Sequence, residues 1–314
     1  MKKLLQLLTF SLLFLIAIPV WAYDINVLKI VEHPSLNLAI QGFQDYLKDN
    51  GIEATYKEFD AQGKVDFAQQ SVTQMLSNNP DLILTVGTMV SQQAVNKIKE
   101  IPILFTAVTD PLAAELVSTL EKPGGNVTGT SDITPLDTQI SIVRLFQPEA
   151  KTLGVIYNPG EVNSVVQVEE IRKACLNYNF TIIEAVAAGN EAVIGAAQSL
   201  ISKVDAIFLP SDNTAISSYE SIMKVGIDHK IPIYCVDGDS IAKGGTASLN
   251  LEYYQLGRQT GEMAIQILKN NVKPGDIPVG FQRDLKLTVN ETYNNKIGFV
   301  LPKEVEELNK VVLK

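Results

Sequence analysis

Side chains that perform acid–base, nucleophilic or metal chemistry are scarce in this sequence. Two histidines, His33 and His229, and two cysteines, Cys175 and Cys235, are all that 314 residues contain. No His/Cys set has metal-ligand spacing. His33 is the only candidate general base, and no Gly-x-Ser-x-Gly elbow supplies a nucleophile beside it. Catalysis has no constellation to rest on, so neither an enzyme nor a cofactor is expected. Polar residues gather instead just after apolar runs: His33 and Ser35, Gly87-Thr88, Thr109-Asp110, Ser131-Asp132, Tyr157-Asn158 with Asn163 and Ser164, Ser211-Asp212-Asn213, and Asp237. Thr88 and Thr109, with nearby backbone N–H groups including that of Asp110, can donate to an anion. Asp237, Asp212, Asn158 and Asn213 can accept from an ammonium. That division suits a zwitterionic amino acid, and other polar solutes as well.

Each of these residues also has a plainer explanation. Ser35, Thr88 and Thr214 fit helix N-caps. Asn158-Pro159-Gly160 and Asp237-Gly238 are good turns, and Asp110-Pro111 suits a helix start. The recurrence of such residues at successive strand ends is what makes them a candidate site.

The elements that must position them are legible as an alternation. Apolar runs at Ile25–Val31, Ile52–Phe59, Leu82–Val86 and Pro102–Ala107 read as buried strands. Ser35–Asn50, Lys64–Asn79 and Thr88–Lys99 between them read as amphipathic helices, with Leu36, Ile40, Phe43 and Leu47 at helical spacing. Strands separated by helices imply right-handed βαβ units and a parallel sheet covered on both faces. The series then recurs. Strands are expected at Leu153–Tyr157, Phe180–Val186, Ala206–Leu209 and Ile231–Val236, with helices at Glu161–Tyr178, Glu191–Ile201 and Thr214–His229. Local wording repeats too: Pro80-Asp81-Leu82-Ile83-Leu84 parallels Val204-Asp205-Ala206-Ile207-Phe208.

Two similar sheets in one chain imply two Rossmann-like α/β lobes. Val127–Ser131 and Thr246–Leu251 read as extended, Tyr253–Asn270 as one long helix, and Asp284–Val289 as the last strand. Chain crossings near 130, 249 and 276 divide the protein into lobe 1 (23–130 with 250–275) and lobe 2 (131–249 with 276–314). Three connections make a hinge, because a few residues at each can absorb a closing rotation. Ligands of open parallel sheets lie beyond the carboxyl ends of the strands, so two such ends facing across a hinge enclose one cleft.

The N-terminus bears on compartment. Lys2-Lys3, an apolar run over Leu4–Val20 and the small-x-small ending Val20-Trp21-Ala22 form a secretory signal with cleavage expected after Ala22. The remaining chain carries 24 basic against 35 acidic side chains, a net charge of −11, which disfavours nucleic acid as a partner. Cys175 and Cys235 fall mid-element in different layers and are expected as buried free thiols.

Three blocks carry a family resemblance: Ile101 to Pro111 (IPILFTAVTDP), Leu120 to Gly129 (LEKPGGNVTG) and Gly154 to Ser164 (GVIYNPGEVNS). With Leu209 to Thr214 and Tyr253 to Gly261, they resemble the ABC-transporter substrate-binding family that includes tryptophan-type proteins. The resemblance implies a type I periplasmic-binding fold, an aromatic amino acid as ligand, and a permease with its ATPase as partners. For an aromatic ring, Tyr157 is the best-placed side chain, with Phe105, Phe208 and Tyr234 read mainly as core and His33 and Met89 as rim. Within this reading Thr88, Thr109 and the Asp110 amide hold the carboxylate and Asp237 and Asn213 the ammonium. Tyr157 or Asn158 closes over the ligand. Relatives anchored by lipid use a Cys that is not found near this cleavage site, which favours a free periplasmic monomer. A receptor's ligand-sensing subunit, or a binding protein for another nutrient, would share the same architecture.

Overall fold

The computed structural model describes residues 22–313, except 283, 309 and the side chain of 239. The export signal expected over 1–22 lies, apart from Ala22, outside the described residues. In chain order the first series is β1 (Tyr23–Lys29), α1 (Pro34–Asp49), β2 (Ala54–Asp60), α2 (Val65–Asn78), β3 (Leu82–Val86), α3 (Thr88–Lys97), β4 (Ile103–Val108) and β5 (Val127–Ser131). The second begins with α4 (Leu136–Phe146), β6 (Thr152–Tyr157), α5 (Val162–Asn177), β7 (Thr181–Val186) and α6 (Asn190–Ser199). It continues with β8 (Ala206–Leu209), α7 (Asn213–Ser217), α8 (Tyr219–His229), β9 (Ile233–Cys235), α9 (Gly238–Ile241) and β10 (Ala247–Asn250). The chain ends with α10 (Tyr253–Leu268), β11 (Gly280–Phe281), β12 (Lys286–Asn290), α11 (Glu291–Ile297), α12 (Lys303–Glu306) and β13 (Val311–Leu313).

The strands form two sheets, ordered β11-β5-β4-β3-β1-β2 and β13-β12-β10-β9-β8-β6-β7. Every pairing is parallel except β10 with β12. Burial follows position in the sheet. The inner strands β3 and β4 are buried at every residue, as strands covered on both faces must be. The edge strands β2 and β7 are largely half-exposed. One apolar core fills the first lobe, and two lie on the opposite faces of the second sheet. The two-lobed α/β architecture expected from the repeat is the one observed.

The chain passes between the sheets after β5, after β10 and after β11. Helix α10 returns to the first lobe and lies against α1, where Leu36, Ala39, Ile40, Phe43 and Leu47 form the buried stripe. Two glycines permit this approach. A Cβ at Gly42 would sit 2.0 Å from the Tyr254 carbonyl oxygen, and one at Gly257 1.9 Å from that of Ala39. Larger side chains there would force the helices apart.

Some boundaries differ from expectation. β11 still pairs with β5 of the first sheet, so the third passage lies beyond Phe281 rather than near 276. The helix expected over 214–229 is two helices parted at Ser218. The last strand is β13, alongside β12, and not the Asp284–Val289 segment. Helix α4 was not anticipated. Cys175 and Cys235 are buried and free, as expected.

Candidate ligand-binding cleft

The carboxyl ends of both sheets converge on one narrow cavity of about 50 Å³. From the first lobe come His33, Ser35, Gly87, Thr88 and Thr109, and from the second Asn163, Ser211, Asp212, Asn213 and Asp237. Val31, Leu36, Ala107, Ile216 and the Tyr253 ring supply apolar wall. Among the described residues, three carboxyl groups line it, those of Asp132, Asp212 and Asp237, and no Lys or Arg does.

Local backbone chemistry aims these groups. Gly87 adopts φ +103°, a region closed to most side chains, and starts α3 with Thr88 buried at its first position. The N-terminus of α3 thereby opens on the cavity. Between Phe105 and Val108 the β4–β5 register slips, with Ala107 at φ +55°. Such a bulge redirects the strand end, here Ala107 and Thr109. Ser131 fixes the next turn: its hydroxyl donates to the Thr109 carbonyl at 2.8 Å and accepts from the Ile133 N–H at 3.1 Å.

The lobes meet through His33, Ser35 and Asp237. Ser35 Oγ donates to Asp237 Oδ1 at 2.6 Å, and Ser240 Oγ donates to Asp237 Oδ2. His33 Nδ1 accepts from the Ser35 N–H at 3.3 Å, which assigns the proton of the neutral ring to Nε2. That Nε2 lies 3.1 Å from Ser240 Oγ and 3.4 Å from Asp237 Oδ2. Burial lowers the His33 pKa, opposed by the Asp237 charge, so the ring is neutral at neutral pH. His33, rather than Ser35, caps α1.

On the second lobe Asp212 is buried, and it caps α7. Its oxygens accept from the Ala215 N–H at 2.7 Å and the Asn158 N–H at 2.6 Å. Burial, reinforced by the nearby Glu161 charge, pushes its carboxyl up to about 6. Glu161 itself accepts from the Asn213 amide at 2.6 Å and the Thr214 hydroxyl at 2.7 Å. The Nδ2 of Asn213, the residue expected on a ligand ammonium, is thereby held by Glu161, which fixes the orientation of its amide. Asn163 Nδ2 is likewise spent on the Ser211 carbonyl at 2.5 Å.

Five expected site residues do not line the cavity. Asp110 accepts from the Leu112 and Ala113 N–H groups at 2.9 and 3.0 Å, on an outer groove. Ser131 and the buried Ser164 lie behind the wall, Ser164 beside Asp212. Asn158 donates to Thr214 Oγ1 at 2.9 Å and faces a wider outer part of the cleft, as does Met89. Tyr157 points elsewhere: its hydroxyl donates to Glu184 on the edge strand β7 at 3.0 Å. Phe105, Phe208 and Tyr234 are core. The aromatic ring actually present is that of Tyr253, and Asp132 joins it. Tyr253 OH donates to Asp132 Oδ2 at 3.0 Å, across 121 residues of sequence. Burial raises the Asp132 pKa, against the Tyr253 and Thr109 hydroxyls. Asp132 is among the polar strand-end residues that the sequence points to, whereas Tyr253, at the start of α10, is not.

Residues 24–312 match the family described as ABC transporter substrate binding protein. A tyrosine-binding protein of Clostridioides difficile is 38% identical over 276 residues, covering 85% of this chain and 79% of the relative. A solved Streptococcus pneumoniae domain in complex with L-Trp is 31% identical, with a TM-score of 0.89 over 93% of this chain and 100% of that one. A ligand-free, open substrate-binding protein with adhesive properties from Clostridium difficile is 36% identical, yet its TM-score is 0.71 over 93% of this chain and 99% of that one. These similarities extend across both lobes and all three passages between them. The chain belongs to the ABC transporter substrate-binding protein family.

Proposed function

We propose that this protein captures an aromatic amino acid between its lobes, as tyrosine or tryptophan, and presents the closed form to a membrane permease and its ATPase. One observation carries the reading. The chain overlays the tryptophan-bound relative better than the open, ligand-free one, at TM-scores of 0.89 and 0.71, although the open relative is more alike in sequence, 36% against 31%. Sequence divergence cannot explain that order; lobe arrangement can. That order supports a closed arrangement of the lobes around the cavity.

The cavity's chemistry supports a zwitterion with an apolar side chain. With no Lys or Arg on its wall among the described residues, a carboxylate there meets neutral donors: Thr88, Thr109 and the N–H groups at the start of α3. Val31, Leu36, Ile216 and the Tyr253 ring give the side chain an apolar wall. The family's role is solute binding, and no catalytic role is assigned to any residue here. The protein acts as a monomer after export to the periplasm and cleavage behind Ala22.

Thermal melts against the twenty amino acids test this. A ligand that binds only the folded protein raises Tm. Tyrosine or tryptophan should give the largest increase. A response confined to small aliphatic amino acids, or to none, would overturn the proposal.

A further inference from the structure

Asp132 stands where two of the three interlobe passages meet. It follows β5 directly, and the residue that donates to its Oδ2, Tyr253, opens α10 just after β10. The side chain is 6% exposed and lines the cavity, yet its Oδ1 is buried without a hydrogen-bond partner. The other two cavity carboxylates differ. Asp212 has both oxygens bonded within the second lobe, and Asp237 takes the hydroxyls of Ser35 and Ser240. A buried carboxylate oxygen left unbonded is costly; the nearby Thr109 hydroxyl offsets part of that cost, and a donor arriving from the cavity would offset more.

Building on the aromatic amino-acid reading, we propose that Asp132 is the anchor for the ligand's α-ammonium group. One oxygen is oriented by the Tyr253 hydroxyl, and the other is left for the ligand. This moves the ammonium from Asp237 and Asn213, the residues favoured by sequence, to the hinge. Burial already penalises the ionised Asp132 carboxyl, and an arriving ammonium offsets that penalty. Discrimination for amino acids over deaminated acids follows, because the acid brings no donor for Oδ1 and leaves its own negative charge without the compensating ammonium. Since Asp132 and Tyr253 belong to separate passages, the contact also links occupancy to the segments that rotate.

Titration calorimetry of the full-length mature protein separates the possibilities. The probes are L-tyrosine, its deaminated analogue 3-(4-hydroxyphenyl)propanoate and its decarboxylated analogue tyramine. For the wild type, the deaminated analogue should bind roughly 10- to 150-fold more weakly than L-tyrosine, the range for a hydrogen bond to a charged group, while tyramine retains measurable binding. Asp132→Asn should lose affinity for L-tyrosine by a similar factor and lose little for the deaminated analogue. Tyr253→Phe should shift L-tyrosine in the same direction by less, and it serves as the test should Asp132→Asn fail to fold by circular dichroism. Equal wild-type affinity for L-tyrosine and its deaminated analogue would overturn the anchor while leaving aromatic capture intact. So would equal losses for both probes in the variants. Failure of the wild type to bind L-tyrosine, L-tryptophan or L-phenylalanine would overturn the functional reading and the anchor together.

Discussion

Replacing Ser35 by alanine deletes one hydroxyl and, with it, a bond that exists only when the lobes are shut. Ser35 belongs to α1 of the first lobe and its partner Asp237 precedes α9 of the second, 2.6 Å away. Both are buried, at 2% and 5% exposure, so solvent cannot fully replace the contact. Hydrogen bonds to ionised groups contribute about 1.5–3 kcal/mol. Asp237 keeps the Ser240 hydroxyl in the variant, so the lower end applies, about 1.5 kcal/mol or roughly tenfold in the closed-to-open ratio. Apparent affinity scales with the population of the binding-competent form, so Kd for L-tyrosine should rise roughly tenfold. An open, ligand-free protein makes no such bond, and its Tm should hardly move. Calorimetric titration with melts of the ligand-free protein reads both quantities. A Kd within twofold of wild type would refute the role of this contact in closure, as would a Tm loss that accounts for the whole effect.

Three further outcomes follow from packing and titration. Gly257→Ala places a methyl 1.9 Å from the Ala39 carbonyl oxygen; overpacking of this kind costs about 1–3 kcal/mol, and calorimetric Tm should fall by several degrees, where an unchanged Tm would contradict the close α1–α10 crossing. His33 has its pKa lowered from 6.5 by burial, so it binds a proton more readily in the unfolded chain. Its contribution is complete above that value and is lost as pH falls below it. Asp212, pushed up to about 6, works the other way, since the folded form takes up its proton first as pH falls toward 3.8. The diagnostic is therefore the difference in Tm between wild type and His33→Gln, which should shrink from pH 7 to pH 5; a constant difference would contradict a neutral buried His33. Burial pushes the Cys175 and Cys235 thiols up to about 11 and 12. A thiol reagent at pH 8 should label neither in the native protein and both in guanidinium; rapid native labelling would contradict their burial.

Much of the fold was legible because its signal is local. The runs at 82–86 and 206–209 coincide with β3 and β8, since continuous burial leaves a largely apolar run. Sheet order and side-chain direction are not local. Tyr157 ends an apolar run, but β6 lies beside the edge strand β7, and the phenol turns to Glu184 there. No periodicity within β6 records which strand is its neighbour. The pairing of Asp132 with Tyr253 escapes the sequence for a related reason: their contact spans 121 residues and two chain passages, so neither segment alone announces the other. Asn213 and Asp212 line the cavity, but their contacts with Glu161 and Asn158 are not legible in the sequence, because they arise only once α5, α7 and β6 pack together.

Small-angle X-ray scattering of the exported, mature-length protein with and without saturating L-tyrosine reads the central claim directly. The account expects a smaller radius of gyration with ligand and a bound-state profile that matches the closed structure. Identical profiles under conditions where calorimetry shows binding would contradict capture by lobe closure.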